Sequence, residues 1–196
     1  MTTIRNHLGS PRLQSWEGVT QTKRIMSGGW LRRNRVKLKS FIRIIFGFVW
    51  LIDGLLKFQP GMISVFPQLV INAGLGQPMW LYPWFSFWSG VVSQNPAFWV
   101  YLVGIGELCI AAGLILGLLR KMTYLVGVFL SLVIWAIPEG LGGPYGPGST
   151  DIGTGVIYSF VFLLFILISV SYGPSKYSLD RWMEKRIKWW KKLAEF

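Results

Sequence analysis

The chain carries no charged side chain from residue 58 to residue 106. A soluble domain distributes charges over about a quarter of its residues, mostly at its surface, so an uncharged stretch of this length does not suit a surface in water. The charges collect at the two ends instead: nine of the 20 lysines and arginines precede residue 40, and seven follow residue 173. Basic ends around an apolar middle predict an integral membrane protein whose main partner is the lipid bilayer.

The basic composition and the scarcity of metal ligands argue against several other classes of protein. The formal net charge is +12 and the isoelectric point is near 10.1, values that also occur in nucleic-acid-binding proteins. Here the basic residues flank apolar segments, so we predict no nucleic-acid partner. The single Cys109 and single His7 argue against a metal site, a cysteine-bound cluster or haem ligation. The sequence also shows no flavin or iron–sulfur motif.

Four segments are apolar enough to cross a bilayer. A spanning helix needs about 20 mainly apolar residues, and residues 41–58, 97–119, 122–138 and 155–172 approach or meet that length. They are expected to be helices, because an open sheet leaves backbone groups without hydrogen bonds in lipid. The predicted fold is therefore an all-α, integral membrane four-helix bundle.

The basic residues also predict the orientation of this bundle. Lysines and arginines lie in residues 32–39, at Arg120 and Lys121, and in residues 176–192, and four spans place these three segments on one side. Cytoplasmic segments carry the excess of lysine and arginine, so both termini are predicted to be cytoplasmic in a plasma-membrane protein. The predicted domains are a basic tail (1–39), with residues 27–40 as a flexible lead-in, the transmembrane domain (40–172) and a second basic tail (173–196).

Two segments outside the spans are predicted to lie at the membrane interfaces. The outer loop 59–96 contains Trp80, Trp84 and Trp88 with five prolines, which predicts one or two short helices or re-entrant turns at the outer interface. They serve either as an interfacial anchor or as a lid over a lipophilic ligand such as a quinone. Residues 178–196 predict an amphipathic helix on the inner leaflet, or else a docking face for a cytoplasmic partner.

Capping residues are predicted at the start of two of these helices. Ser178 with Asp180 forms a helix-start pattern at the C-terminal tail, and Asp151 precedes the fourth span. Side-chain oxygens of serine and aspartate accept hydrogen bonds from free backbone N–H groups at helix starts. We therefore expect Ser178 to cap the tail helix, with Asp180 in its acidic first turn, and Asp151 to cap the fourth span, with Ser149 and Thr150 as further candidates. Glu139, just after Pro138, is expected to join the same outer acidic cluster.

Three ionisable side chains near the outer half of the spans form the candidate site. Asp53 and Lys57 lie four residues apart on the first span and are expected to pair, and Glu107 lies within the second. Such residues are costly in a membrane, at about 2.5–3.5 kcal/mol on insertion scales, and so mark either function or a specific pair. We expect either a structural ion-pair network or a polar pocket in which a carboxylate exchanges a proton with a lipophilic substrate.

Two patterns within the spans, taken with the layout, resemble a known family. The first span reads Arg43, then Gly47, Trp50, Asp53, Gly54 and Lys57. The second ends in GELCIAAGLILGLLRK, with Glu107 ahead of Gly113, Gly117 and Arg120. Together with four spans and a cytoplasmic N-terminus, these patterns resemble the DoxX/DoxD family of small four-helix membrane proteins over about residues 40–172.

The resemblance implies a function and a set of site residues. Its best-known members resemble or form the membrane subunit of thiosulfate:quinone oxidoreductase, which implies quinone as the cofactor and other membrane or extracytoplasmic subunits as partners. It implies catalytic roles for Glu107, Asp53 and Lys57. It also implies quinone contacts from Arg43 and Trp50, to which the outer loop adds Trp84.

Three functions remain open at this stage, and so does the question of whether the chain itself is an enzyme. A quinone-handling subunit of a redox complex predicts an apolar cleft beside the three ionisable residues, covered by the outer loop. A non-catalytic structural or assembly subunit of a respiratory or oxygenase complex predicts polar residues that pair internally without a cavity. A small transporter has less support, because the sequence shows no internal repeat or broken helix.

Overall fold

A computed structural model describes residues 13–145, 151–172 and 177–194, and these ranges contain helices and no strand. The α-helices are α1 (Leu13–Leu56), α2 (Met62–Ala73), α3 (Tyr82–Gln94), α4 (Pro96–Leu116), α5 (Arg120–Ala136), α6 (Thr154–Tyr172), α7 (Asp180–Glu184) and α8 (Lys191–Ala194). Short 3-10 helices occur at Met79–Leu81, Gly140–Gly142 and Lys188–Trp190. The chain divides into two compact units, Met1–Leu38 and Lys39–Phe196. The all-α prediction is confirmed for the described ranges.

The first unit is helical from Leu13 onward. This differs from the flexible lead-in expected over residues 27–40, where Gly28 and Gly29 suggested an irregular chain. Leucine, arginine and lysine dominate residues 31–39, and these residues favour helix strongly enough to offset about 1 kcal/mol per glycine. The start of the predicted basic tail, residues 1–12, lies outside the described residues.

The four apolar segments of the sequence correspond to the second half of α1 and to α4, α5 and α6. Asn95 caps α4 by accepting a hydrogen bond from the Phe98 N–H at 3.2 Å, and Pro96 occupies the first helical position. Gly117 ends α4 three residues earlier than expected, because it adopts a left-handed conformation with φ of 66°. Both ends of α4 therefore follow local sequence signals.

One buried cluster joins all four of these helices within the second unit. Its members are Phe46 and Trp50 of α1, Ile110, Ala111 and Leu114 of α4, Tyr124 of α5, and Phe162 and Phe165 of α6. Trp50 and Phe162 are at most 1% exposed, and their ring centroids lie 5.5 Å apart. Aromatic packing of this kind fixes the mutual placement of α1 and α6 in addition to burying apolar area.

The outer loop folds into α2 and α3, as expected for one or two short helices. A second buried cluster connects Phe66 and Val70 of α2 with Val92 of α3, Val100 of α4 and Ile137. We call the end of the bundle that carries α2, α3 and the α5–α6 loop the outer end. The end that carries the α4–α5 turn and residues 177–194 is the inner end.

Among the described residues, α4 and α6 are long and apolar enough to cross a membrane by length and composition. Large apolar side chains on these two helices are exposed, including Ile105 at 54% on α4 and Phe160 at 62% and Leu167 at 61% on α6. Soluble monomers rarely expose large contiguous apolar patches. The exposed side chains of α4 and α6 therefore suit a lipid environment.

The described part of the C-terminal tail does not form the single amphipathic helix predicted from its sequence. It forms α7, a 3-10 helix and α8, interrupted by the extended conformation of Ile187. The N–H groups of Leu179 and Asp180 donate to the carbonyls of Leu116 and Gly117 at 3.1 and 3.2 Å. Tertiary hydrogen bonds to the α4–α5 turn thus outweigh the helical periodicity of the tail.

The predicted caps at Ser178 and Asp151 are also wrong, for the same reason, whereas Ser149 and Thr150 lie outside the described residues. Helix α7 has Leu179 at its N-cap without a side-chain hydrogen bond, and the Asp180 carboxylate instead accepts from the N–H groups of Leu119 and Arg120 at the start of α5. At the start of α6 the Gly155 N–H donates to Glu139 Oε2 at 2.8 Å, while Asp151 Oδ1 accepts from the Gly153 N–H. Carboxylates that are distant in sequence therefore cap α5 and α6.

Candidate functional site

The centre of the candidate site is an ion pair between α1 and α4. Lys57 Nζ lies 3.3 Å from Glu107 Oε2, and the two side chains are 19% and 3% exposed. The predicted pairing of Lys57 with the Asp53 carboxylate is not what forms, because Lys57 Nζ instead donates to the Asp53 main-chain oxygen at 3.4 Å. The ion pair therefore crosses between helices and places a positive charge beside the carboxylate that is more deeply buried.

Glycines allow α1 and α4 to approach closely enough for this pair. A Cβ atom on Gly104 would lie 2.9 Å from Lys57 Cβ, and one on Gly54 would lie 2.8 Å from Leu108 Cδ2. Small residues at helix contacts permit such close backbone approach in membrane proteins. The glycine pattern of the two helices thus positions the charged site.

A polar cavity of about 370 Å³ lies on one side of the Lys57–Glu107 pair. Its walls also include Asp53 and Trp50 from α1 and Tyr158 from α6, and further lining residues are Ser131, Ile134, Glu139, Thr154 and Gly155. The structure therefore brings Asp53, Lys57 and Glu107 together, as the sequence predicted, and it places Trp50 beside them. We refer to this space as the polar cavity.

An apolar cavity of about 860 Å³ lies on the other side of the same pair. Of its 22 lining residues only Lys57, Glu107 and Glu139 are charged, and the others are apolar or aromatic. Helices α2 and α3 cover it with Phe66, Trp84, Trp88 and other apolar side chains. Sites for small molecules are commonly apolar spaces of roughly 300–1,000 Å³ with a few placed polar groups, so this cavity has the size and lining of a ligand site.

Trp84 and Trp88 connect the cover of the apolar cavity to the bundle. Trp84 Nε1 donates to the Ala136 carbonyl at 2.9 Å, and Trp88 packs edge-on against Trp99 of α4 with ring centroids 6.0 Å apart. Trp88 Nε1 is buried and has no hydrogen-bond partner among the described residues. The structure thus places Trp84 at the cavity and adds Trp88 as a side chain with an unused donor.

Glu139 lines both cavities and caps α6. Burial of its carboxyl raises the pKa, and the nearby Asp151 raises it further, while hydrogen bonds from the Gly155 and Thr154 N–H groups oppose the shift. The sequence suggests only that Glu139 joins an acidic cluster at the outer end. Its position after Pro138 carries no local signal that it reaches across to the start of α6.

Arg43 lies at the inner end and lines neither of these two cavities, so the implied quinone contact from this residue stays a prediction. Its Nη2 donates to the Tyr177 carbonyl at 2.9 Å, and Gly117 packs against its guanidinium. Burial, with Arg120 and Arg43 nearby, lowers the pKa of Lys39 to about 8. Arg43 belongs to this inner basic cluster, and Trp50 and Trp84 remain the predicted contact residues beside the cavities.

Ser131 and Tyr158 are site residues that the sequence analysis did not identify. Ser131 is fully buried, and its Oγ has no hydrogen-bond partner among the described residues. A hydroxyl in an otherwise apolar span was the available signal, but serine is common in membrane helices and so is not specific. Within the described residues, no group of three or more His, Cys, Asp or Glu side chains is arranged to hold a metal ion.

A family model described as DoxX matches residues 38–139, just over half of the chain. The comparison with curated proteins and the comparison with solved structures gave no match. The matched region extends from α1 to Glu139, so it contains the Lys57–Glu107 pair and both short outer helices, whereas the resemblance seen in the sequence was expected to reach residue 172. The DoxX family is membrane-associated. On this match, the chain belongs to the DoxX family.

Proposed function

We propose that this protein is the four-span membrane subunit of a redox complex and that it binds a quinone in its apolar cavity. The observation that carries the proposal is an apolar space of about 860 Å³ with an ion pair, Lys57–Glu107, in its wall. A purely structural subunit requires no such space. A functional precedent is the membrane subunit of thiosulfate:quinone oxidoreductase, as the family resemblance implies.

Four spans are proposed from α4, α6, α5 and the second half of α1. Helix α5 has 17 residues, which corresponds to about 26 Å at 1.5 Å per residue and approaches the thickness of a hydrocarbon core. The apolar half of α1 exposes Phe41, Ile45, Phe48 and Ile52, as a lipid-facing side does. Both termini are proposed to lie in the cytoplasm, because Arg120, Lys121 and the basic C-terminal tail lie at the inner end, and the segment that precedes the first span is basic as well.

Cysteine accessibility tests this orientation. In a Cys109→Ser background we expect Ser93→Cys, exposed near the end of α3, to react with a membrane-impermeant maleimide added outside intact cells. Lys185→Cys, exposed after α7, is expected to react only after permeabilisation. If Lys185→Cys is labelled in intact cells and Ser93→Cys is protected, the proposed topology is contradicted and the opposite orientation is supported.

The residues around the apolar cavity fit a quinone. A bound quinone supplies two-electron, two-proton chemistry at its ring oxygens. The Lys57 ammonium is a donor for a ring oxygen, and the Glu107 carboxyl is a group that can take or give a proton at the same wall. Trp88 Nε1 is a further donor without a partner among the described residues. Exposed lining residues on α4 and α5, including Leu102, Phe129 and Leu132, leave the cavity accessible from the lipid side.

A non-catalytic assembly subunit is the second candidate, and one observation favours it. Met79 and Trp80, in the 3-10 helix of the outer loop, are 83% and 75% exposed. Large exposed apolar side chains suit contact with another protein or with the lipid headgroups. Such a contact is compatible with a quinone-binding subunit as well, because the apolar cavity lies beneath the loop.

The quinone proposal is tested by filling the cavity. Gly106 lines the apolar cavity, and a Cβ there would meet only the Leu130 side-chain tip, at 3.3 Å. In protein reconstituted in nanodiscs, we expect Gly106→Leu to weaken binding of a short-chain quinone analogue at least about tenfold, because the new side chain occupies the binding volume. Binding is measured by titration calorimetry.

Gly90→Leu is the matched control for this substitution. Gly90 also lies within a helix, α3, but a Cβ there meets nothing within 4 Å, so quinone binding should be unchanged. Absence of saturable binding by the unmodified protein contradicts the proposal. If Gly106→Leu binds the quinone analogue as tightly as the unmodified protein does, the quinone binds outside this cavity, and the proposal is contradicted as well.

A further inference from the structure

The polar cavity extends from the outer end to the Lys57–Glu107 pair. Along its walls, Thr154 is exposed, Asp53 and Glu139 are partly exposed, and Glu107 and Ser131 are buried. The lining therefore includes both exposed and buried side chains, and Glu107 is among the buried ones. The two cavities share Lys57, Glu107, Ile134 and Glu139, so Glu107 stands where a water-accessible space and an apolar space meet.

The lining of the polar cavity suits water. Ser131 Oγ and Trp50 Nε1 are buried and have no hydrogen-bond partner among the described residues, and their side chains are 0% and 1% exposed. Buried polar groups of this kind are ordinarily satisfied by ordered water when the space is large and polar enough. At roughly 30 Å³ per molecule, a cavity of about 370 Å³ has room for on the order of ten waters.

We infer that the polar cavity is the route by which the Glu107 carboxyl exchanges its proton with water at the outer end, with Asp53 and Glu139 as relay groups. This inference rests on the proposed function, since it assigns the aqueous side of the same site. In each step an O–H bond of a carboxylic acid breaks and the proton passes to water or to the next carboxylate, with no change in oxidation state.

The groups that face Glu107 come from several elements. Lys57 and Asp53 lie on α1, Glu139 follows α5, and Tyr158 lies on α6. Among the described residues that line the polar cavity, Lys57 is the only cationic side chain, and Asp53, Glu107 and Glu139 supply the carboxyl groups. The Lys57 ammonium on α1 can therefore balance the negative charge of Glu107 while protons move between Glu107, Asp53, Glu139 and water.

The side from which Glu107 receives its proton is measured first. Dicyclohexylcarbodiimide, a lipid-soluble carbodiimide, modifies protonated carboxyl groups and is able to enter the apolar cavity. In sealed right-side-out vesicles containing the full chain, the internal and external pH are set independently. Modification of Glu107 is quantified by peptide mass spectrometry, and we expect it to rise several-fold when the external pH falls and to be unaffected by the internal pH.

The relay groups are tested by the rate of proton exchange. A flash-released proton should produce an infrared carbonyl band of protonated Glu107, identified by its loss in Glu107→Gln. Asp53→Asn and Glu139→Gln preserve side-chain size and are expected to slow the rise of this band at least about tenfold, since positioned acid–base groups contribute about 10²–10⁴-fold. Asp151→Asn is the matched control, because Asp151 lies in the same loop but outside the cavity lining.

Neither experiment needs a quinone, so failure here is distinguishable from failure of quinone binding. If the modification of Glu107 follows the internal pH, the inference is overturned. The inference is also overturned if Asp53→Asn and Glu139→Gln leave the rate of rise of the infrared band unchanged, provided that both variants keep their unfolding temperature. If Asp151→Asn slows the rise of the band to the same extent, the slowing comes from the overall charge of the loop, and this result also overturns the inference. Quinone binding that persists in those cases leaves the proposed function standing.

Discussion

Replacing Asp180 with alanine is expected to lower the free energy of unfolding by about 3–5 kcal/mol, the cost of leaving a buried charge without its partner. Asp180 is fully buried, and its Oδ2 accepts from Arg120 Nε at 2.9 Å. Its carboxylate also accepts from the N–H groups of Leu119 and Arg120 and from Trp190 Nε1. The alanine variant loses the α5 cap and leaves the Arg120 guanidinium, 4% exposed, without this carboxylate.

Denaturant unfolding of the detergent-solubilised protein measures this loss. Asp180→Asn keeps an acceptor for the helix N–H groups but removes the charge, so an intermediate loss is expected. Asp151→Ala is the control, because this exposed aspartate makes a local hydrogen bond to the Gly153 N–H. If Asp180→Ala is no less stable than Asp151→Ala, the tail does not hold the α4–α5 turn as described.

Gly155→Val is expected to destabilise the contact between α5 and α6 by about 3 kcal/mol. A Cβ on Gly155 would lie 2.5 Å from the Ser131 main-chain oxygen and 2.9 Å from the Trp135 main-chain nitrogen. Main-chain atoms within a helix cannot rotate away as a flexible side chain does, so the two helices have to separate. The variant should show a lower unfolding temperature and a reduced yield of monodisperse protein.

Gly90→Val controls for the effect of a branched side chain at a helical glycine. Open space surrounds a Cβ at Gly90, so its stability is expected to stay within about 0.5 kcal/mol of the unmodified protein. Equal stability of Gly155→Val and Gly90→Val argues against the close α5–α6 approach. The same result also removes Gly155 as a constraint on the shape of the polar cavity that it lines.

Local sequence signals predicted most of the helices. Continuous apolar segments identified the second half of α1 and α4, α5 and α6, and the Asn95–Pro96 pair and Gly117 set the ends of α4 through capping and a left-handed turn. The same patterning supported the DoxX family, which the family model confirms over residues 38–139. The sequence also identified Asp53, Lys57 and Glu107 as unusual, because charges within apolar segments are costly.

Which groups pair with each other was not predictable from spacing. Lys57 and Asp53 are four residues apart, yet the ammonium of Lys57 lies against Glu107 on another helix. Arg43 sits on the same helix as Asp53 but at the opposite end of the bundle, where Tyr177 accepts its hydrogen bond. A helix rises about 1.5 Å per residue, so ten residues separate the two side chains by about 15 Å.

Sequence alone therefore determined the segments, the membrane character of the apolar helices, the family and the unusual charged residues, because each depends on composition or on neighbours within a few residues. Tertiary structure alone decided that α2 and α3 cover an apolar cavity and that Glu139 caps α6. It also decided that Asp180 caps α5, whereas the sequence predicted a separate amphipathic helix that begins at Ser178. The two capping contacts join residues that are 16 and 61 positions apart in the chain. Backbone N–H groups at a helix start take whichever acceptor the packed fold brings near, and no local pattern specifies that acceptor.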